Sequence, residues 1–359
     1  MKIAVVMGTR PEIIKMSPVI RGLENKEDYF IIHTGQHYSY NLDRVFFEQL
    51  RLPSAKYNLE VGSGSHAEQT GKILIGVEKV FQTERPEIVL VEGDTNSVFA
   101  ATLAATKLHI SVGHVEAGLR SYDRQMPEEI NRVLTDHCSD YLFAPTTNAK
   151  QILLGEGILE ERIFVTGNTI VDAVYQNLNI AKETGNSLTT LHLAPREYFL
   201  VTLHRQENVD NPLRFAPILE GLDRVASEFH LPVIYPIHPR SRKMMGEFGF
   251  KPRNLNLIEP IDFLSFLQLE SNAKLILTDS GGVQEEACIL NVPCVTVRDN
   301  TERPETLEVG ANVLAGASSD KILDCTKLML SKKNKWTNPF GDGKAGNRIV
   351  KIITGAEHA

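Results

Sequence analysis

The chain has 359 residues, 42% of them apolar and 23% charged, an ordinary globular composition that is too long for one typical core and suits two domains. A formal net charge of −7 argues against an extended nucleic-acid or anionic-membrane surface. Cys138, Cys288, Cys294 and Cys325 form no CxxC pair and no metal spacing and read as reduced core thiols of a cytoplasmic protein, while the apolar run 2–7 is too short for a signal peptide or a spanning helix.

Lys2-Ile3-Ala4-Val5-Val6-Met7 lacks polar alternation, as expected for a strand buried in a parallel sheet. Gly8-Thr9-Arg10 is the turn that follows. Pro11 suits the first helical position and Glu12 favours the helix start. Ile13, Ile14, Val19, Ile20 and Leu23 give that helix one apolar face. Arg10 stands at the carboxyl end of the strand, where open α/β sheets bind ligands, and Lys15 lies one helical turn on. Both are candidates to meet a phosphate or a sugar; a solvated surface cation is the competing reading, more so for Lys15.

A second strand over 29–33 runs into Thr34-Gly35-Gln36-His37, a turn rich in hydrogen-bonding side chains. After the Gly/Ser loop 62–66, Glu68-Gln69-Thr70 opens a long helix. The third strand, 87–91, leads through Glu92-Gly93-Asp94-Thr95 into an Ala-rich helix over 98–106 whose small residues suit close packing on a sheet. Asp94 is either the N-cap of that helix or a carboxylate turned toward a ligand. The fourth strand, 110–115, ends at Glu116, and Pro127-Glu128-Glu129 begins another helix with two acids in its first turn. Asp94, Glu116 and Glu128 therefore fall on one rim of one sheet. Three carboxylates gathered there are costly unless they share protons or are offset by Arg120, Arg124 and Arg132, and such a cluster is where acid–base chemistry is sought.

Strands over 141–144 and 163–165 complete the first sheet, and 166–172 is the expected crossing into a second domain; 184–195 carries no clear pattern. A second sheet starts at 198–202. His204, beside Arg205, and His238, after the strand 233–236, stand at carboxyl strand ends. A strand at 255–258 and a helix at 263–269 follow, with Phe266 a candidate to pack on a nucleobase. The run 275–287 reads as a buried strand, then Asp279-Ser280 as N-cap residues, then Gly281-Gly282, with helix formers from Val283. Without Cβ atoms at the two glycines, backbone N–H groups are open to an anion at the positive end of the helix, and Glu285 or Glu286 suits a ribose diol. A strand at 293–297 leads into the charged loop 298–305. The final helix, to about Thr354, is expected to cross back to the first lobe.

Six motifs occur in order: Gly8-Thr9-Arg10-Pro11-Glu12, Gly93-Asp94-Thr95, Gly113-His114-Val115-Glu116-Ala117-Gly118-Leu119-Arg120, Pro127-Glu128-Glu129, Asp279-Ser280-Gly281-Gly282 and Thr301-Glu302-Arg303-Pro304-Glu305. In these the chain resembles the non-hydrolysing UDP-N-acetylglucosamine 2-epimerases, from Met1 to the last helix. The resemblance implies an α/β fold of two Rossmann-like lobes of the glycosyltransferase-B type, with the active site in the cleft between them. Residues 1–167 joined by 345–359 would form the acid–base lobe and 168–344 the UDP-binding lobe. It further implies a cytoplasmic homodimer, without metal, nicotinamide or other cofactor and without nucleic-acid or membrane partners, that interconverts UDP-GlcNAc and UDP-ManNAc and supplies ManNAc-type sugars for surface glycans. By motif, Asp94, Glu116 and Glu128 would be the acid–base group, with His204 assisting. Arg10, Lys15, His204, His238, Ser280, Gly281, Gly282, Glu286 and Arg303 would hold the UDP part, with Phe266 near the base. The family's functional glutamate follows the proline directly, which selects Glu128 over Glu129. Bacterial members bind a second UDP-GlcNAc, and Gln36, His37 and Gln69 match that region, although Tyr38-Ser39-Tyr40 departs from the bacterial pattern.

Three other readings compete. A glycosyltransferase of the same fold would need an acceptor groove, a hydrolysing epimerase would release free N-acetylmannosamine, and a regulatory nucleotide-sugar-binding protein would have no use for the three carboxylates. A dinucleotide dehydrogenase is disfavoured because no G-x-G-x-x-G follows the first strand.

Overall fold

Among the described residues, thirteen short strands, the central ones apolar and buried, alternate with helices and form two parallel sheets. The computed structural model describes residues 1–24, 27–36, 40–332 and 335–355, the side chains of 40–43 excepted. In the first sheet, β1 (Lys2–Met7), β2 (Asp28–His33), β3 (Tyr57–Asn58), β4 (Ile88–Glu92), β5 (Ser111–Val115), β6 (Tyr141–Ala144) and β7 (Ile163–Val165) lie in the order β3-β2-β1-β4-β5-β6-β7. In the second, β8 (Phe199–Thr202), β9 (Val233–Pro236), β10 (Leu255–Ile258), β11 (Leu275–Thr278), β12 (Cys294–Thr296) and β13 (Asn312–Leu314) lie in the order β10-β9-β8-β11-β12-β13. The chain thus fills each sheet outward from its first strand, then returns to that strand's other side, which is the Rossmann order. The reversal opens a crevice at the carboxyl ends of β1 and β4 in one sheet and of β8 and β11 in the other. Two Rossmann-like units in one chain are the α/β, glycosyltransferase-B type of fold expected from the sequence. The two-residue β3 and three-residue β13 were not anticipated, being too short to show a period. The stretch 184–195 contains a helical turn, Ser187–Thr190, capped by Asn186.

The central strands of both sheets are covered on both faces, which is why they read as unbroken apolar runs, whereas the edge strands β3, β7 and β10 are partly exposed. The Ala-rich helix spans Asn96–Lys107, and its Ala100, Ala101, Ala104 and Ala105 share one core with Ala4, Val6, Val89 and Val91. Phe199, Val201, Tyr235, Leu277 and Val295 anchor the corresponding core of the second unit. Among the described residues no helix is long and apolar enough to cross a membrane.

One unit comprises Met1–Gln176 with Phe340–Ala359, the other Asn177–Pro339. The division falls within the helix Thr169–Thr184, later than the 167/168 point read from sequence, because the start of that helix is tied to the returning tail. Asp172 accepts from Ala345 N at 3.1 Å and Gly346 N at 3.0 Å, and Asn168 N donates to Phe340 O at 2.8 Å. The final helix, Ala345–Thr354, packs on Arg10–Leu23. A Cβ at Gly346 would stand 2.9 Å from the Pro18 backbone, so the two helices approach where only glycine fits.

Candidate active site

In the first unit the crevice is walled by the turns that leave β1, β4 and β5. Thr95 caps the Ala-rich helix, its hydroxyl accepting from Ser97 N at 3.2 Å and Val98 N at 3.4 Å. Asp94 is thereby released from capping, and its Oδ2 pairs with Arg132 at 2.5 Å. Arg132 also reaches Glu129 at 3.1 Å, and Asn131 donates to the Asp94 carbonyl at 2.9 Å. Glu116 adopts φ +69°, a left-handed conformation uncommon for a side chain of its size, of the kind that clusters at functional sites. Its carboxylate meets Lys15 Nζ at 2.5 Å and accepts from Asn168 Nδ2 at 3.2 Å. Lys15 also lies 3.2 Å from Glu92, whose carboxyl group is pushed well above the usual range, first by burial and then by Glu116 and Glu12 against the pull of Lys15. Lys15, expected at a phosphate or sugar, is therefore bound up with the carboxylates.

The two turns are braced from behind. His114 lies 2.8 Å from the Gly93 carbonyl and 2.6 Å from Asp136, which also meets Arg120 at 2.7 Å and accepts from Gly118 N at 3.2 Å. Burial raises Asp136, but His114 and Arg120 outweigh it and hold the carboxyl below its ordinary value. Arg120 was expected to offset the carboxylate rim. Instead it is consumed by Asp136 and by Glu156, 2.6 Å away, while Arg124 is exposed and the cations at the rim are Arg132 and Lys15. Glu128 is exposed at the start of the helix Pro127–Cys138. Its neighbour Glu129 is buried and ties down the preceding loop, accepting from Ser121 N at 2.8 Å and Tyr122 N at 3.0 Å. Arg10 is half-buried with its guanidinium 5.3 Å from the Phe46 ring centroid.

Gln36 and Gln69 belong to a polar chain next to this rim. Gln36 Oε1 accepts from Ser97 Oγ at 2.8 Å, and Gln69 Nε2 donates to the Gln36 carbonyl at 3.0 Å. Asn96 Nδ2 donates to Gln69 Oε1 at 3.0 Å, and Asn131 Nδ2 reaches Asn96 Oδ1 at 3.3 Å. His37 lies outside the described residues.

In the second unit β11 ends at Asp279, which is not a cap. Fully buried, its carboxylate accepts from His204 N at 3.1 Å, Arg205 N at 3.0 Å and Asn208 Nδ2 at 3.3 Å, so it pins the loop after β8 beside the helix that follows β11. That helix begins at Gly281, earlier than Val283, with Ser280 in the cap position and no side-chain cap bond. A Cβ at Gly281 would meet only Glu302 Oε2, at 3.7 Å, and one at Gly282 only Ser280 Oγ, at 4.0 Å. The space before this helix start is open, as an anion cradle of backbone N–H groups requires. His204 Nδ1 lies 3.3 Å from Asp279, and its ring is 5.8 Å from that of His238. His238 caps the helix Pro239–Glu247, accepting from Arg240 N at 3.2 Å, and burial, His204 and Arg240 lower it below the ordinary imidazole value. Arg303 Nε pairs with Glu285 at 2.9 Å. Arg298 grips Glu302 through two nitrogens at 2.8 and 2.9 Å, pulling that carboxyl down to about 2. Glu286 is nearly buried, and Phe266, half-buried, packs against the core around Leu200 and Val283.

Sequence reasoning overlooked Glu92, Asn96, Asn131, Asn168 and the bracing role of Asp279. Each is polar and buried beside a ligand-type strand end, but its partner lies far along the chain, so no local spacing marks it.

A family model described as UDP-N-acetylglucosamine 2-epimerase matches residues 22–354. A protein of Methanocaldococcus jannaschii named UDP-N-acetylglucosamine 2-epimerase is 58% identical over 99% of this chain and 99% of its own length. A Methanococcus maripaludis protein of the same name is 54% identical over 99% of this chain and 98% of its own. The crystal structure of the M. jannaschii UDP-GlcNAc 2-epimerase in complex with UDP-GlcNAc and UDP superposes with a TM-score of 0.88, covering 99% of this chain and 100% of that one at 58% identity.

Proposed function

The chain belongs to the UDP-N-acetylglucosamine 2-epimerase family, and from that premise we propose that it interconverts UDP-GlcNAc and UDP-ManNAc without hydrolysis. The observation that carries the reading is the pair Asp94 and Glu116, set at the crevice of one Rossmann unit and each matched to a cation, Arg132 and Lys15. We assign Glu128, exposed in the first turn of its helix, as the third carboxylate of the group.

The sugar C2–H has no adjacent carbonyl and is not acidic enough for simple removal. Elimination avoids this difficulty. A carboxylate takes the C2 proton while the C1–O bond breaks and its electron pair leaves with UDP, forming 2-acetamidoglucal. UDP then adds back to C1 as a proton reaches C2 on the other face. Two faces require more than one acid–base group, which three carboxylates supply, with His204 as an auxiliary. The departing pyrophosphate needs preorganised positive charge and N–H donors. Arg10, His204, His238, Arg303 and the open Ser280-Gly281-Gly282 helix start are our candidates, with Glu286 on the ribose and Phe266 near the base. Lys15 acts in this scheme through Glu116 and not on the phosphate. Gln36, His37 and Gln69 are assigned to a second nucleotide-sugar site. The enzyme is expected to work in the cytoplasm as a homodimer, making ManNAc-type donors for surface glycans; analytical ultracentrifugation should give twice the monomer mass.

The deciding experiment is turnover of UDP-GlcNAc in D2O followed by NMR. Elimination and re-addition put deuterium at C2 of UDP-ManNAc. Full retention of protium refutes the mechanism, equal accumulation of UDP and free N-acetylmannosamine marks a hydrolysing enzyme, and an unchanged C2 configuration marks a transferase.

A further inference from the structure

Glu270 lies in the helix Phe263–Asn272 and is fully buried. Its neighbours Leu269 and Ala273 pack in one apolar core with Val283 and Ala287 of the helix Gly281–Ile289. A lone carboxylate in such surroundings is strongly disfavoured. Among the described residues no N–H or O–H donor reaches either of its oxygens. What it meets is the carboxyl group of Glu286, across the two helices. Two carboxylates in contact in a dry site do not both ionise; they share one proton, which resides on the drier partner. Burial first, and then Glu286, hold Glu270 well above the carboxylate range. Among the described residues, Tyr198, ahead of β8, and Cys294, in β12, also feel its charge, and burial raises both, while the nearby cation is Arg196, whose guanidinium donates to the Ala273 carbonyl at 2.8 Å.

We propose that Glu270 is a positioning residue for nucleotide-sugar binding: as a neutral carboxylic acid it donates a hydrogen bond to Glu286 and holds that side chain as the acceptor for the ribose hydroxyls. The inference rests on the placement of Glu286 in the UDP site under the reading above. It gives that site a property the family activity does not require. Loss of the shared proton at alkaline pH leaves two charges in one apolar pocket, so Glu286 is driven from its place and UDP binding weakens as pH rises.

Isothermal titration with UDP between pH 6 and 10 tests this on wild type, Glu270→Gln, Glu270→Met and Glu286→Ala, with thermal melts to verify folding. Glutamine keeps a donor that cannot titrate, so Glu270→Gln should bind like wild type at pH 7 and keep its affinity where wild type loses it. Glu270→Met, without a donor, should bind about tenfold more weakly throughout, the usual scale for a lost hydrogen bond to a charged group. Parallel pH profiles for wild type and Glu270→Gln, or wild-type affinity in Glu270→Met alongside a weakened Glu286→Ala, overturn the proposal alone. Unchanged affinity in Glu286→Ala overturns the placement of Glu286 in the UDP site, and the proposal with it.

Discussion

Glu12 was expected merely to favour the start of its helix, yet its carboxyl group is buried and accepts from the Gly8 backbone N–H. Burial pushes it up to about 7, with nearby Asp94 adding to the rise and hydrogen bonds from Thr95, Gly8 and Thr9 limiting it. In the unfolded chain the same group ionises near 4.5. Between these values the unfolded state has released the proton while the native state still holds it, so stability falls as pH rises through the window and is level above it. At about 1.4 kcal/mol per pH unit, the window from 4.5 to about 7 amounts to about 3 kcal/mol at pH 8 and less than about 1 kcal/mol at pH 5. Glutamine at position 12 still offers Gly8 an acceptor but never ionises. We expect Glu12→Gln to exceed wild type in stability by about 3 kcal/mol at pH 8 and to approach it at pH 5, as read by urea unfolding followed by far-UV circular dichroism. A stability difference that stays constant from pH 5 to pH 8 would show that Glu12 ionises normally in the folded protein, and the reasoning from its burial would fail.

Arg303→Ala and Glu286→Ala should each weaken UDP binding roughly ten- to a hundredfold, the range for a lost charge-assisted contact; unaltered calorimetric affinity in both removes these residues from the site. Asp94→Asn and Glu116→Gln should retain UDP binding but turn over at least about a hundredfold more slowly, and near wild-type epimerisation in both would make the carboxylate cluster structural. If Gln36, His37 and Gln69 form a second nucleotide-sugar site, the reverse reaction from UDP-ManNAc alone should start with a lag that a trace of UDP-GlcNAc removes. A linear start without that trace counts against the second site.

Much of the fold is legible in the sequence because its signals are local. Unbroken apolar runs such as Ile3–Met7 and Leu275–Leu277 mark strands covered on both faces. Proline at 127 and the alanines Ala100, Ala101, Ala104 and Ala105 mark a helix start and a close packing surface within a few positions. The same locality brings Asp94, Glu116, His204 and Ser280–Gly282 to strand ends without any structure, since each begins within a few residues of the end of an apolar run. Locality also misleads. Asp94 and Asp279 both read as helix caps, yet Thr95 caps the first helix, and Asp279 is drawn inward by backbone N–H groups some 75 residues away along the chain. Lys15 reads as a surface or phosphate-binding cation, and only the order in which β1, β4 and β5 stand side by side brings its amine to Glu116, 101 residues distant, and to Glu92. The proton shared by Glu270 and Glu286 is equally invisible from either helix alone. Hydrophobic period and cap chemistry act over one or two turns, so they reside in the sequence. The partner of a buried charge is set by strand order and by the loss of water around it, and both exist only once the sheets have assembled.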